Sequence, residues 1–413
     1  MHQIKLHLRH EVIEGILVNE DDKHYTVKLD SGYNIGILKN KVERIEKQSY
    51  DQTKDISKPN HVQDHSLPKI LILHTGGTIA SKVDYKTGAV NASFEPHELI
   101  EMFPEIKDLA NIESRLFRNM WSDDMRFEHY NIIAKEIEKE SGKYKGIIIT
   151  HGTDTMHYTS AALSFIFENL PLPVVIVGSQ RSSDRGSSDS ATNLISAVSF
   201  IANTSLNGVF ICMHENISDD SCIILNGLNA RKMHSSRRDA FQQINKQPIA
   251  RINFFTKQIE YISEYPGSAL NGKGKMTLHL FDDRLKIGIV ISHPNMYHEE
   301  LLSYKNFDGL ILEGTGLGHM PITEIDDNTK EHNKIKEAIA ELCKKMPVVM
   351  ATQTISGVVN MNVYSPGREL QDLGVIGNQS SLCPETSFIK LAWLLSQKLD
   401  VKEEFMKDFR GEF

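Results

Sequence analysis

Two apolar runs that each end in glycine constrain this chain more than anything else in it. The first is Ile70-Leu71-Ile72-Leu73-His74-Thr75-Gly76-Gly77-Thr78-Ile79-Ala80, and the second is Ile147-Ile148-Ile149-Thr150-His151-Gly152-Thr153-Asp154-Thr155-Met156. Such runs are too short for an ordinary helix and have no polar face, so they read as strands of a parallel sheet buried on both sides. The glycines permit positive φ and close approach of a ligand. They would present Thr78 and Thr153 at the carboxyl edge of a sheet, where open α/β folds keep their chemistry. Each edge taken alone also fits a plainer reading, a tight turn in which the threonine, or Thr153 with Asp154, caps a following helix. Taken together on neighbouring strands, they place two hydroxyls and a carboxylate in one cleft. A threonine hydroxyl is a weak nucleophile near neutrality and needs a base or charged relay, for which Asp154 or a lysine of lowered pKa are the candidates.

The rest of the chain supplies a frame for that cleft. With 413 residues, 40% of them hydrophobic, two or three domains are expected. Residues 3–46 alternate apolar and polar positions, as in Ile4, Leu6 and Leu8, then Val12 to Val18, Tyr25 to Leu29 and Tyr33 to Leu38. This predicts five short strands in a small SH3-like β-barrel over residues 1–47. Residues 48–68 are polar, broken by Ser57-Lys58-Pro59-Asn60 and Ser66-Leu67-Pro68, and read as a linker. Beyond it, strands at 70–73, 146–149, 174–177 and 209–211 alternate with helical patterns at 127–141, 158–169 and 190–203. The pattern restarts near Leu278, with strands at 288–291, 309–312 and 347–350 and helices at 330–343 and 385–398. Alternation of this kind predicts crossover units on mostly parallel sheets. We place an α/β domain over 69–282 and a smaller one over 283–413, divided at Asp282-Asp283-Arg284.

Charge and motifs exclude several functions. A net charge of −8 argues against a chain that grips phosphate backbones unaided. The N-terminus alternates rather than forming an apolar leader, and no run approaches the roughly 18 apolar residues of a membrane span, so a cytoplasmic protein is expected. Cys212, Cys222, Cys343 and Cys383 form no C-x-x-C pair and suit reduced thiols. The histidines form no H-E-x-x-H motif, which favours chemistry without a metal. Gly267 to Gly274 nearly spells a P-loop, but Gly274 stands where Ser or Thr would hold Mg²⁺; Gly314-Thr315-Gly316-Leu317-Gly318 lacks the third glycine of a dinucleotide fingerprint. Both read as turns. Arg181, Arg185, Arg231, Arg237 and Arg238 bracket the expected cleft, either as contacts for a partner or as ordinary solvated and paired surface charges.

Thr75-Gly76-Gly77-Thr78-Ile79-Ala80 together with His151-Gly152-Thr153-Asp154-Thr155-Met156 resembles the paired signatures of the L-asparaginase family. The resemblance runs from about Lys69 to the C-terminus and implies a two-domain asparaginase-like α/β fold that releases ammonia from a side-chain carboxamide through an acyl-enzyme. Position by position, it implies that Thr78 is the nucleophile and that Tyr85, in a mobile loop, assists removal of its proton. Thr153, Asp154 and Lys232 would form the relay. Ser122 would bind the α-carboxylate of the substrate and Asp154 its α-ammonium, with Asp123 beside them. Free-standing asparaginases start near the equivalent of Ile70, whereas this chain adds the barrel and linker. The segments 177–185 and 228–241 resemble the ammonia-producing D subunits of archaeal-type glutamyl-tRNA(Gln) amidotransferases. That likeness implies glutamine (or asparagine) as substrate and no cofactor in this chain. It further implies a partner E subunit that uses ATP and Mg and holds the tRNA, and a homodimer within a 2+2 heterotetramer.

Overall fold

The computed structural model describes residues 2–9, 11–29, 34–49, 64, 66–77, 79, 81–83, 90–92, 103–182, 187–265 and 274–413. Alternation in the first segment produces β1 (His2–Leu8), β2 (Val12–Glu20), β3 (His24–Lys28), β4 (Asn34–Leu38) and β5 (Val42–Ser49). All pairs are antiparallel, in the order β4-β3-β2-β1-β5. Ile4 and Leu6 point inward onto Tyr25, Val27 and Ile37, while Lys5 between them turns outward to Glu14 at 2.6 Å. The five strands are those expected, and they form an antiparallel half-barrel with β4 and β5 at its edges.

The large domain is built on β6 (Lys69–Gly76), β7 (Asn111–Met120), β8 (Gly146–Thr150), β9 (Pro173–Val177), β10 (Gly208–His214) and β11 (Ser221–Asn226). A short hairpin of β12 (Ala230–Lys232) and β13 (Phe241–Gln243) follows, and β14 (Ala250–Asn253) and β15 (Ile259–Tyr261) complete the main sheet. The sheet order is β15-β14-β11-β10-β9-β8-β6-β7, and β7 to β10 with β6 are parallel. The last three strands at one end are antiparallel. Helices α1 (Phe127–Glu140) and α2 (Met156–Ile166) lie on one face, and α3 (Ser190–Asn203) on the other. Leu71, Leu73, Ile147 and Ile149 meet the first pair, whereas Ile70, Ile72 and Ile148 meet α3. Two covered faces explain why these strands are apolar at every position.

A second, three-stranded parallel sheet contains β16 (Ile287–Ile291), β17 (Gly309–Gly314) and β18 (Val348–Thr352). It carries α4 (Glu331–Cys343) and α5 (Pro384–Ser396). Helix α5 joins the two domains, since Ile389, Leu391 and Trp393 share one core with Ile311 and Val349 of the small sheet and with Phe165 of α2. The Phe165 and Trp393 rings lie 5.5 Å apart. The Gly314–Gly318 segment is a tight turn, with Gly316 and Gly318 at φ of 52° and 100°. Residues 267–273 of the P-loop-like stretch lie outside those described.

The sequence reading places no strands over residues 221–261, where β11 to β15 lie, and two further elements depart from it. The helix read over 158–169 stops at Ile166, Phe167–Glu168 pairs with Thr277–Leu278, and Asn169 takes a φ of 56° ahead of Leu170-Pro171. Strand β7 had no clear signature because an edge strand leaves half its residues in water, and its pattern is half-buried to exposed along its length. No helix among the described residues is long and apolar enough to cross a membrane.

One buried polar residue stitches the parallel strands together. His74 of β6 bonds through Nδ1 to Thr150 Oγ1 of β8 at 2.9 Å and through Nε2 to Ser114 Oγ of β7 at 2.8 Å. Burial lowers its pKa to about 4 from the ordinary 6.5. The unfolded chain therefore binds a proton that the folded chain does not, between those two values. This contribution is complete above pH 6.5 and is lost as the pH falls towards 4, on the order of 3 kcal/mol in all. Urea unfolding of His74→Asn should show a shallower decline in stability between pH 7 and 5 than the wild type; parallel curves would contradict the assignment.

A second buried polar element is the Lys390–Glu412 ion pair, 2.6 Å long with both side chains fully buried. Lys390 also donates to Lys407 O at 2.7 Å and lies 4.4 Å from the centroid of the Phe413 ring. Removing one charge strands the other, so Glu412→Ala should cost about 3–5 kcal/mol in urea unfolding. Lys390→Met in the same chain should recover most of it, and equal stability of single and double variants would refute this account.

Candidate active site

In the main sheet, β7 stands on one side of β6 while β8, β9 and β10 follow on the other. Strand order therefore reverses at β6 and β8, and open α/β sheets bind their ligands beyond the carboxyl ends at such a reversal. Both glycine-terminated edges fall there, in register with Thr150 beside His74. Thr75 Oγ1 donates to Thr150 O at 2.8 Å and ties the two edges together.

The turn after β6 cannot be built with other residues. Gly76 and Gly77 take φ of 118° and 84°. A Cβ on Gly76 would fall 2.3 Å from Met120 O, and one on Gly77 would fall 2.5 Å from Gly152 N. The backbone of one edge thus lies directly against the backbone of the other. Thr78 is the next residue, but it and Tyr85 lie outside the described residues.

At the β8 edge, Thr153 is buried, and its hydroxyl accepts a 2.8 Å hydrogen bond from Lys232 Nζ. The same ammonium donates to Asp154 Oδ1 at 2.7 Å. Lys232 is only 9% exposed at its side chain whereas Asp154 is 63% exposed, so the carboxylate faces solvent and the lysine faces inward. The capping reading of Thr153 and Asp154 gives way to this contact. No side chain caps α2, and Thr155 Oγ1 instead donates to Ser122 O at 2.6 Å. Ser122, in the short turn Ser122–Asp124 after β7, is buried beneath Gly152, whose Cβ position would lie 2.8 Å from Ser122 Oγ. Asp123 beside it is exposed. Lys232 reaches the cluster from the β12–β13 hairpin, where its register partner is Phe241. The structure thus brings Ser122, Thr153, Asp154 and Lys232 together around the turn that precedes Thr78.

His151 lies just below. Its Nδ1 donates to Gly152 O at 2.6 Å and its Nε2 accepts from Thr159 Oγ1 at 2.9 Å. Burial lowers its pKa to about 4, so the ring is neutral and holds the Gly152 carbonyl in place. Three of the flanking arginines are paired, Arg231 with Glu385, Arg237 with Asp239 and Arg238 with Asp219, while Arg181 is exposed. Arg185 lies outside the described residues.

Two supporting residues were not singled out from sequence. Gly178 follows β9 and would place a Cβ 2.7 Å from Thr153 Cγ2, so the absence of a side chain lets the threonine methyl seat there. Asp189 is fully buried and accepts from Gln180 N at 2.9 Å, Arg181 N at 3.0 Å and Ser179 Oγ at 3.0 Å, folding the segment after Gly178. The signal for Gly178 was available, since Val174-Val175-Ile176-Val177-Gly178 repeats the pattern of the other two edges.

Comparison with known proteins agrees with this architecture. Family models described as asparaginase, N-terminal, and glutaminase/asparaginase C-terminal domain match residues 69–266 and 286–405. A GatD N-terminal domain model matches residues 2–47. The chain is 42% identical to the D subunit of the glutamyl-tRNA(Gln) amidotransferase of Methanococcus maripaludis, over 99% of this chain and 96% of that one. It is 37% identical to the protein of the same name from Archaeoglobus fulgidus, over 99% and 94%. Among solved structures, the thermostable L-asparaginase from Thermococcus kodakarensis matches with a TM-score of 0.72 and 30% identity, covering 84% of this chain and 99% of that one. L-asparaginase I from Vibrio cholerae gives 0.70 and 28%, covering 84% and 99%. With the half-barrel, both asparaginase domains and full-length relatives in agreement, the chain belongs to the asparaginase family, in the branch formed by the D subunits of glutamyl-tRNA(Gln) amidotransferases.

Proposed function

We propose that this chain is the glutamine-hydrolysing subunit of a glutamyl-tRNA(Gln) amidotransferase and that its chemistry runs through Thr78. The observation that carries the reading is the Lys232 ammonium held 2.8 Å from Thr153 Oγ1 and 2.7 Å from Asp154, across from the Gly76-Gly77 turn. An ammonium donating to a hydroxyl oxygen favours the charge which that oxygen carries after losing its proton. This is the electrostatic condition under which Thr153 can give up its own proton as it takes one from an attacking group.

The Thr78 hydroxyl attacks the carboxamide carbon, Tyr85 assists transfer of its proton to the departing nitrogen, and an O–C bond forms as the C–N bond breaks to release ammonia. A water molecule then adds to the ester carbon, Thr153 takes one of its protons while passing its own to the departing Thr78 oxygen, and the O–C bond breaks to free the Thr78 hydroxyl and the product acid. Backbone N–H groups of the glycine edges stabilise the oxyanion. Ser122 holds the α-carboxylate. Asp154, its carboxylate largely open to solvent, meets the α-ammonium with Asp123 alongside. One methylene separates glutamine from asparagine and is worth only about 1–3 kcal/mol, so the choice between them rests on pocket shape.

In this reading the ammonia passes to an E subunit that activates the tRNA-bound glutamate with ATP and Mg. Two copies of each chain assemble in the cytoplasm, and this subunit carries no cofactor of its own. The net charge of −8 suits that division, with the tRNA held by the partner. The asparaginase structures support a competing reading, a stand-alone amidohydrolase of nitrogen metabolism. The half-barrel favours the complex, because the relatives that span it along with the rest of the chain are named as amidotransferase D subunits.

Mixed with its partner, Thr78→Ala should abolish glutamine-dependent amidation of the charged tRNA while leaving amidation from added ammonium intact. Loss of both together would sink the ammonia-donor role. Lys232→Met and Thr153→Ala should lower glutaminase kcat by about 10²-fold or more. Hydroxylamine added with glutamine should yield the hydroxamate from the wild type and none from Thr78→Ala; hydroxamate from both would remove Thr78 as nucleophile.

A further inference from the structure

The residue that reaches Thr153 sits on a weak element. Strands β12 and β13 have three residues each and pair only with one another. Such a hairpin does not hold a long side chain to within a few tenths of an ångström unaided. Its support comes from far along the chain. Thr386 Oγ1 donates to Leu228 O at 2.7 Å, Asn229 Nδ2 donates to Glu412 O at 3.0 Å, and Arg231 Nε pairs with Glu385 Oε1 at 3.0 Å. Three of the four residues before Lys232 are therefore tied to α5 or to the segment that follows it.

Glu385 differs from the other two anchors because it touches both halves of the site. Its Oε1 lies 3.0 Å from Arg231, next to Lys232, and 3.8 Å from His157 Nε2. His157 lies in the first turn of α2, three residues after Asp154 and four after Thr153. Along β12 successive side chains alternate, so Arg231 turns towards Glu385 while Lys232 turns towards Thr153 and Asp154. The carboxylate is buried and stays ionised. Burial opposes its charge, but His157 and Arg231 outweigh that penalty and hold its pKa below the usual glutamate value.

We infer that Glu385 is a positioning residue for Lys232: by gripping Arg231 while resting against His157, it fixes the separation between the lysine-bearing hairpin and the edge that carries Thr153. This rests on the reading of Lys232 and Thr153 as catalytic given above. A residue that sets distance without touching substrate should affect kcat and leave KM nearly unchanged, and misplacement by about 1 Å can cost up to 10²-fold.

The test uses the full chain with glutamine and compares Glu385→Gln, Arg231→Met, their double variant and Lys232→Met, with circular dichroism and thermal unfolding to count folded protein. Expected are a roughly 10- to 100-fold fall in kcat per folded molecule for each single variant and a KM within about twofold. The double variant should be no worse than the poorer single, because the two residues act as one unit. Unchanged kcat with only a lower Tm would reduce Glu385 to a stabilising residue and overturn the inference. So would losses that multiply in the double variant, or a rise in KM at constant kcat. An inactive Lys232→Met beside a fully active Glu385→Gln overturns the inference alone, whereas a fully active Lys232→Met overturns the reading of the site and the inference with it.

Discussion

The contact between the Gly77 backbone and the His151–Gly152 peptide governs the geometry of the whole catalytic end. A Cβ at Gly77 would fall 2.5 Å from Gly152 N, closer than real Cβ atoms approach anything. With no side chain there, two parallel strand ends close up until main chain meets main chain. Ser122 lies beneath Gly152, and Gly178 receives the Thr153 methyl on the far side. The four elements β6, β7, β8 and β9 thus converge through small residues. The peptide groups at these strand ends are therefore held in a region too crowded to relax.

This geometry separates what could be read in the residues from what could not. Strands β6 and β8 were legible because they are central in a parallel sheet and apolar on both faces, and the glycines mark where each ends. The half-barrel was legible because each strand keeps one face in water. Strand β7 was obscure because an edge strand mixes Glu113, Arg115 and Arg118 with apolar residues. Lys232 had no signature of its own. Three-residue strands show no period, and only the family likeness pointed to it. Phe241, nine positions on, is its cross-strand partner. Asp189 was hidden for another reason: its position predicts a helix cap, yet its carboxylate turns back to the Gln180 and Arg181 amides and leaves α3 uncapped.

The small domain is more than a lid or spacer. Helix α5 shares a core with α2 of the large domain, and its first turn and the segment beyond it hold the hairpin carrying Lys232. Buried ionic groups recur along this seam, at Glu385 with Arg231 and at Lys390 with Glu412. Only the first joins remote parts of the sequence and so helps to select one alignment of the domains, whereas Lys390 and Glu412 close a span of 22 residues within the C-terminal segment.

The order of strands has a bearing on how the molecule comes to exist. Strand β6 is the first element of the large sheet to leave the ribosome, yet it lies between β7 and β8, which arrive at residues 111–120 and 146–150. The half-barrel can collapse early because β1 to β4 pair in sequence order and β5 closes on β1 within the same short segment. The apolar strand behind it has no such option. Through the synthesis of some seventy further residues its hydrogen-bonding edges and both oily faces await partners, which makes the nascent chain at this stage a natural client for chaperones.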